Sequence, residues 1–203
     1  MTVNASFALP IYHNYVTGTR LDLLQAELLG AVEKIKKDNA FQKNKKWNKD
    51  THNLSDPTFR KNAIEEYSLT LFQKELEFHV SEFMKTIGTP VERYRSFKIY
   101  GCWITQTMPG EHAHNHTHGH NDLSGVYYIK TDNKDGNLFF NNPLTLLTHS
   151  YSFEHIPQQL EYIPEEGKIV LFPGWLEHGV KPNNTNDERI SISFNINFER
   201  TMN

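Results

Sequence analysis

Residues 189–198 read RISISFNINF, a stretch in which polar and apolar side chains alternate without a break. Alternation with a period of two is typical of a β-strand that has one polar and one apolar face. The polar face has two interpretations at this stage. Either it faces water at the edge of a sheet, or it lies inside the mouth of a barrel, where Arg189 and Ser191 bind an anion such as a carboxylate.

The first part of the chain has a helical pattern. Residues 21–37 carry apolar side chains at helical spacing and gather lysines at their end, and the stretch from Pro57 to Ile87 predicts a long helix with a break. Residues 7–16 are interpreted as a strand that Pro10 limits to the edge of a sheet, and the polar residues 38–56 as a loop.

The part of the chain beyond residue 90 has a strand pattern. Short apolar or alternating runs lie between turn signals, at 95–107, 123–131, 137–140, 159–163, 168–172 and 189–198. Several short strands with frequent turns favour a β-sandwich or a small barrel. We therefore predict one domain over residues 1–203, in which a helical support region (1–90) packs on a β-rich body (91–203).

Composition removes several classes of function. The 203 residues carry a net charge of −3, so a broad basic surface for nucleic acid is not expected. The single Cys102 allows neither an internal disulfide nor a thiolate metal site. No apolar run reaches the roughly 18 residues of a spanning helix, and the N-terminus lacks the pattern of a signal peptide. We expect a soluble protein of the cytoplasm, or of the host cytoplasm if a phage encodes it.

Residues 112–120 contain a histidine at every second position, in the run HAHNHTHGH. Residues i and i+2 of a strand share a face, so neighbouring imidazoles of this run can grip one metal ion together with a third ligand from elsewhere. A candidate for that third ligand is His178, which follows the buried-strand pattern KIVLF and a Pro-Gly turn. His-rich tracts are a compositional signal for metal binding, although a solvated loop is the alternative.

These motifs occur together in a known order. The pair His116-Thr117-His118, the strand LSGVYY, the later FPGWLEH and the final RISISFN resemble the iron(II)- and 2-oxoglutarate-dependent oxygenase superfamily, and most of all its small bacterial and phage branch. The resemblance covers about residues 95–198. It implies an α+β fold, a double-stranded β-helix (a cupin-like jelly roll) with the N-terminal helices packed on one sheet.

The resemblance also implies site residues and cofactors. His116, His118 and His178 would hold Fe(II), while Arg189, Ser191 and Tyr128 would bind the remote carboxylate of the co-substrate 2-oxoglutarate. No further catalytic residue is implied. His116, His118 and Tyr128 all have even numbers. They would therefore point to one side if the chain from His116 to Tyr128 is an approximately continuous strand, which supports the assignment.

The ligand set departs from the superfamily's usual pattern of two histidines and one carboxylate. The middle ligand would be His118, whereas the one His-x-Asp of the sequence is His120-Asn121-Asp122. The set His120/Asp122/His178 therefore remains an alternative. His112 and His114 would then lie behind the ligands, at the entrance or in solvent.

The expected activity is a dioxygenase that hydroxylates an unidentified substrate while 2-oxoglutarate is decarboxylated to succinate. Its partners would be molecular oxygen and a small-molecule or peptidyl substrate, without nucleic acid or membrane. Two other functions stay open: a cupin-like metal-binding module without redox turnover, and a three-histidine dioxygenase that does not use 2-oxoglutarate.

Overall fold

A computed structural model describes residues 8–37, 42–43, 52–53, 62–89, 94–144, 149, 151 and 155–200 of the chain. Two antiparallel sheets form the body of the molecule. The strands are β1 (Tyr12–Tyr15), β2 (Gln42–Lys43), β3 (His52–Asn53), β4 (Tyr94–Thr107), β5 (Ala113–His116), β6 (Leu123–Lys130), β7 (Leu138–Asn141), β8 (Gln159–Tyr162), β9 (Lys168–Pro173), β10 (His178–Val180) and β11 (Arg189–Arg200).

The strands divide unequally between the two sheets. The major sheet has the order β1-β9-β6-β11-β4-β3-β2, and the minor sheet has the order β5-β10-β7-β8. Strand β11, which contains the alternating stretch, is central and pairs with β4 on one side and β6 on the other. This arrangement of antiparallel sheets with helices on one side is the predicted α+β double-stranded β-helix.

Three helices precede the longest strands, as the helical spacing predicts. They are α1 (Thr19–Lys37), α2 (Ala63–Tyr67) and α3 (Thr70–Thr86). The predicted break falls at Ser68, which adopts a left-handed conformation (φ 55°) between α2 and α3. Asn62 caps the start of α2, since its side chain accepts a hydrogen bond from the backbone N–H of Ile64.

The region predicted as helical support also contributes strands to the major sheet. The expected edge strand is present as β1, which pairs with β9. Within residues 38–56, predicted as a loop, β2 and β3 form a hairpin that pairs with β4. The other residues of that stretch lie outside the described part of the chain. Helix α1 packs its apolar face against the major sheet, and β1 extends the same sheet at one edge.

Two apolar cores lie on opposite faces of the major sheet. The larger core joins α1, α2 and α3 to the face of β11 that carries Ile190, Ile192, Phe194 and Ile196. The smaller core lies between the two sheets and includes Tyr128, Leu138, Phe140, Val170, Phe172 and Leu176. The polar face of β11 turns toward this second space. Arg189, Ser191 and Asn195 are only 4–6% exposed, so this face does not lie in water at the edge of a sheet.

Within the described residues, none of the three helices combines the length and the apolar character that crossing a bilayer requires.

Candidate metal centre

Three histidines from distant parts of the sequence meet between the two sheets. His116 ends β5, His118 follows two residues later, and His178 begins β10. One ring nitrogen from each lies within 4.8 Å of the others, and the Nε2 atoms of His118 and His178 are 3.2 Å apart. In the described part of the chain, this is the one group of three or more histidine, cysteine or carboxylate side chains at metal-binding distances.

Backbone carbonyls orient two of the three rings. His116 Nδ1 lies 2.7 Å from the carbonyl oxygen of His114, and His178 Nδ1 lies 2.8 Å from that of Leu176. A carbonyl oxygen only accepts hydrogen bonds, so each Nδ1 must carry the proton and each Nε2 keeps its lone pair. This is the tautomer and the support that metal-binding histidines commonly have.

The environment keeps all three imidazoles neutral. Burial lowers the pKa of His116, lowers that of His118 to about 4 and lowers that of His178 to about 3; the proximity of the other rings adds to the effect for His118 and His178. Phe172 and Phe140 contribute to the burial, with ring centres 4.6 Å and 6.0 Å from that of His178. A metal ligand must be unprotonated, so the site is ready to bind a cation at neutral pH.

The histidine run does not share one face, which corrects the expectation from its alternation. Strand β5 pairs with β10 through His116↔His178 and Ala113↔Val180. Three steps along β5 therefore oppose two along β10, which means that β5 contains a one-residue bulge. The bulge turns His116 inward while His112 and His114 face the outside of the minor sheet, beside Phe139 and Lys181.

The argument from a continuous strand between His116 and Tyr128 was also wrong. Strand β5 ends at His116 in the minor sheet, and β6, which carries Tyr128, belongs to the major sheet. His118 lies in the connection between them, where its backbone N–H donates to the carbonyl of Gly174. The convergence of these residues results from two sheets that face each other rather than from parity along one strand.

The alternative ligand set is not brought together. His120 and Asp122 are exposed, and neither belongs to the group around His178. The carboxylate of Asp122 accepts a hydrogen bond from the backbone N–H of Phe198, and its own N–H donates to Asn197. Asp122 therefore joins β6 to the end of β11 and lies away from the centre.

Arg189 is a buried cation held by backbone carbonyls. Its Nη1 donates to the carbonyls of Asp135 and Gly136 at 2.7 and 2.8 Å, and its Nη2 donates to Thr107 Oγ1 at 2.9 Å. Burial lowers the pKa of the guanidinium, which nevertheless stays protonated at neutral pH. In the part of the chain that the structure describes, Arg189 forms no direct ion pair with a carboxylate, although the buried carboxylate of Asp135 is near enough for the two charges to influence each other's pKa. A buried guanidinium without a direct ion pair is suited to an anionic ligand.

Ser191 and Tyr128 lie beside Arg189 on the same face. Ser191 is the next inward residue of β11 and stands opposite Tyr128 in the register with β6. Burial raises the pKa of Tyr128 to about 12, an effect that the Arg189 charge partly offsets. The phenol therefore keeps its proton and is able to donate a hydrogen bond to an anion.

Two further residues, one beside the histidines and one on the polar face of β11, were not singled out from the sequence. Trp103, interpreted from the sequence as a core residue, is half-buried with its indole centre 5.9 Å from that of His118. Asn195 is buried on the same face of β11, where its Oδ1 accepts a hydrogen bond from Ser124 Oγ at 2.8 Å. The alternation places Asn195 on the face of Arg189, which is the signal that could have identified it.

The chain matches a known family in the segment that contains this centre. Residues 101–195 match the family described as "Putative 2OG-Fe(II) oxygenase", which confirms the predicted resemblance. The family description also names the two cofactors predicted from the sequence, iron(II) and 2-oxoglutarate. No curated protein matches the sequence closely enough to establish a relationship.

Solved structures share the fold. A prolyl-4-hydroxylase of Pseudomonas putida superposes with a TM-score of 0.60 at 16% identity, covering 96% of this chain and 94% of its own. A prolyl hydroxylase of Trichoplax adhaerens, solved with a hypoxia inducible factor peptide, gives 0.61 at 14% identity, with coverage of 96% and 84%. HygX of Streptomyces hygroscopicus, solved with nickel and 2-oxoglutarate, gives 0.54 at 10% identity, with coverage of 93% and 83%. At these identities, the likeness establishes the fold alone.

Proposed function

We propose that this protein, whose residues 101–195 carry the 2OG-Fe(II) oxygenase signature, is an iron(II)- and 2-oxoglutarate-dependent dioxygenase. It hydroxylates an unidentified substrate, and 2-oxoglutarate is decarboxylated to succinate in the same reaction. His116, His118 and His178 hold the iron, while Arg189, Ser191 and Tyr128 bind the remote carboxylate of 2-oxoglutarate. One observation carries the proposal: a group of three neutral imidazoles lies between the sheets, and the polar face of β11 turns a buried guanidinium without a direct carboxylate contact toward the same space.

The donor set fits iron. Imidazole is a good ligand for Fe(II), and three side chains leave positions for a chelating co-substrate and oxygen. His116 and His178 already present Nε2, because their Nδ1 protons are held by backbone carbonyls. Neutral rings require no proton loss before the metal binds.

The face of β11 fits a dicarboxylic acid. Arg189 supplies a fixed charge, since the Asp135–Gly136 turn and Thr107 hold its guanidinium in place. Ser191 and the protonated Tyr128 add two hydroxyl donors beside that charge. Hydrogen bonds between charged partners are the stronger kind, so this corner favours a carboxylate over a neutral group.

The protein's own residues position the reactants. When bound, Fe(II) and 2-oxoglutarate supply the oxidising chemistry. The side chains of Phe140, Phe172 and Leu176 keep water from the ring of His178 and from the space beside it. Trp103 lies beside His118, and Asn195 lies further along the inner face of β11 than Arg189; we propose that these two residues contact the primary substrate.

The third imidazole favours one competing function, a three-histidine dioxygenase that does not use 2-oxoglutarate. A neutral ligand in place of a carboxylate leaves the iron centre one unit more positive, which changes its redox potential and strengthens its attraction for anions. Arg189 fits the remote carboxylate of 2-oxoglutarate, but it would equally fit a carboxylate of the substrate in the competing reaction. The formation of succinate therefore separates the two functions.

The test is an anaerobic titration of the untagged protein with Fe(II) and 2-oxoglutarate, followed by the visible charge-transfer absorption of the chelate. We expect a band that requires both additions and that is lost in Arg189→Met. Arg20→Met is the matched control, because Arg20 lies on the surface in an ion pair with Glu75. Oxygen uptake without succinate would support the three-histidine dioxygenase. Metal retention with neither band nor oxygen uptake would support a cupin-like binding module.

A further inference from the structure

The bulge in β5 leaves two histidines that the proposed centre does not use. His112 and His114 point away from the centre and line a groove of about 420 Å³ on the outer face of the minor sheet. Phe139 and Val180 supply apolar walls to this groove. Neither histidine belongs to the group around His178, although His114 lies only two residues from His116 and Val180 also packs against the smaller core.

The two rings stand at a distance that suits shared coordination. The ring centres of His112 and His114 are 4.6 Å apart, and their planes are nearly perpendicular, at 87°. The three ring pairs of the inner group have centre separations of 4.4, 5.0 and 5.1 Å. Two imidazoles that bind one cation in adjacent positions, each at about 2.0–2.1 Å through nitrogen, require a separation of this order.

The charges around the groove allow a cation to approach. Lys181 also lines the groove, but its Nζ donates to Gln159 Oε1 at 3.0 Å and lies 3.6 Å from Glu161 Oε1. The same ammonium stands over the ring of Phe139, 4.7 Å from its centre. The lysine charge is thus directed toward β8 and balanced there by a carboxylate. The ring of His114 is exposed, so a hydrated ion can reach it.

We propose that His112 and His114 form a second transition-metal site on the outer face of the minor sheet, independent of the inner three-histidine centre. Two imidazole ligands with water in the remaining positions suit Cu(II), Ni(II) or Zn(II). With two ligands in place of three and an open groove in place of a buried space, the outer site binds the same ion more weakly than the inner one. This proposal does not depend on the oxygenase function.

The test is equilibrium dialysis of the untagged full chain against Ni(II), with the bound metal measured per chain. We expect two equivalents, of which the weaker disappears in the double variant His112→Gln/His114→Gln and the tighter disappears in the double variant His116→Gln/His178→Gln, which leaves a single histidine in the inner group. His120→Gln is the control, because His120 is exposed and belongs to neither site. Circular dichroism checks that every variant is folded.

A second readout identifies the ligands. The electron paramagnetic resonance spectrum of the His116→Gln/His178→Gln variant with one equivalent of Cu(II) should show coupling to two imidazole nitrogens, and that coupling should be lost when His112 and His114 are also replaced. The proposal is overturned by a single Ni(II) equivalent in the wild-type chain. Two equivalents in the His112→Gln/His114→Gln variant, or loss of both in it, also overturn the proposal.

Discussion

The two faces of strand β11 perform different tasks. One face carries Ile190, Ile192, Phe194 and Ile196 into the core beneath the helices, and each of these side chains is at most 2% exposed. The other face carries Arg189, Ser191, Ser193 and Asn195 into the space between the sheets. Arg189, Ser191 and Asn195 on the second face are buried nearly as fully as the side chains of the first. The first face is nevertheless apolar and the second polar.

The difference shows where stability and binding come from in this fold. Removing apolar side chains from water is favourable in itself, so the helix-facing side stabilises the sheet without any specific hydrogen-bond partner. Buried polar groups cost free energy unless they are hydrogen-bonded. The inner face keeps such groups and satisfies Arg189 and Asn195 with hydrogen bonds inside the protein; ligand binding is the role that we propose for this face. Substitutions on the two faces should therefore have separable effects.

The largest effect is expected for Phe194→Ala on the helix-facing side. The ring is fully buried, lies 6.0 Å from the ring of Phe72 and covers Gly125, where no side chain would fit. Loss of the ring should lower the free energy of unfolding by about 3–5 kcal/mol, measured by urea titration. Ser193→Ala changes the neighbouring inward residue and should cost far less. Equal losses of unfolding free energy in the two variants would contradict the proposed difference between the faces.

The next effect concerns pH and again belongs to the helix-facing side. His79 of α3 is buried, its Nδ1 lies 2.8 Å from the hydroxyl of Tyr12, and its Nε2 lies 3.8 Å from the carboxylate of Glu75. Burial lowers the pKa of His79 to about 4, against 6.5 for an exposed histidine. The unfolded chain therefore takes up this proton first, and the stability present above pH 6.5 is lost as the pH falls to 4.

The expected loss from His79 is about 3 kcal/mol over that interval, at roughly 1.4 kcal/mol per pH unit. Urea unfolding at several pH values would measure it as the difference between the wild-type chain and His79→Gln. His13→Gln on the exposed side of β1 is the control. Parallel pH curves for the wild-type chain and His79→Gln would contradict the prediction.

A third effect sharpens the role of the inner space. A cation bound to the three histidines stabilises the folded state, by about 2.7 kcal/mol at a concentration one hundred times Kd. His178→Ala should abolish this stabilisation by Zn(II) at that concentration, because it removes the ring that faces both His116 and His118. The shift in thermal midpoint with and without Zn(II) measures it, with His120→Ala as control. A full shift in His178→Ala would refute the inner site.

The smallest effect is expected for Ser191→Ala. If Ser191 donates to the carboxylate as we propose, this hydrogen bond to a charged group is worth about 1.5 kcal/mol at the lower end of its range, so the Kd for 2-oxoglutarate should rise about tenfold. Stability should change little, since the substitution removes a single oxygen from the inner face. Calorimetric titration of the Fe(II)-loaded protein under anaerobic conditions measures the affinity. Ser193→Ala, one position further from Arg189 on the same face, should keep the wild-type value.

Local patterns in the sequence predicted much of this architecture. The period-two stretch at 189–198 predicted a strand with one apolar and one polar face, and helical spacing predicted α1 and the interrupted α2–α3 pair. These features depend on neighbours a few residues apart, so they are readable along the chain. The choice of His116, His118 and His178 rested on resemblance, because no local pattern connects residues 60 positions apart.

The sequence by itself determined the types of element and the chemical character of each face, because these depend on short-range periodicity. Only the tertiary structure decided which histidines converge. Histidines alternate regularly over residues 112–120 of the sequence. Their side chains nevertheless lie on different surfaces, because β5 has a one-residue bulge against β10 and ends at His116. Bulges and strand ends are set by pairing with distant segments, since the register must satisfy both sheets at once. For the same reason, the burial of Arg189 against the carbonyls of Asp135 and Gly136 is a property of the assembled fold.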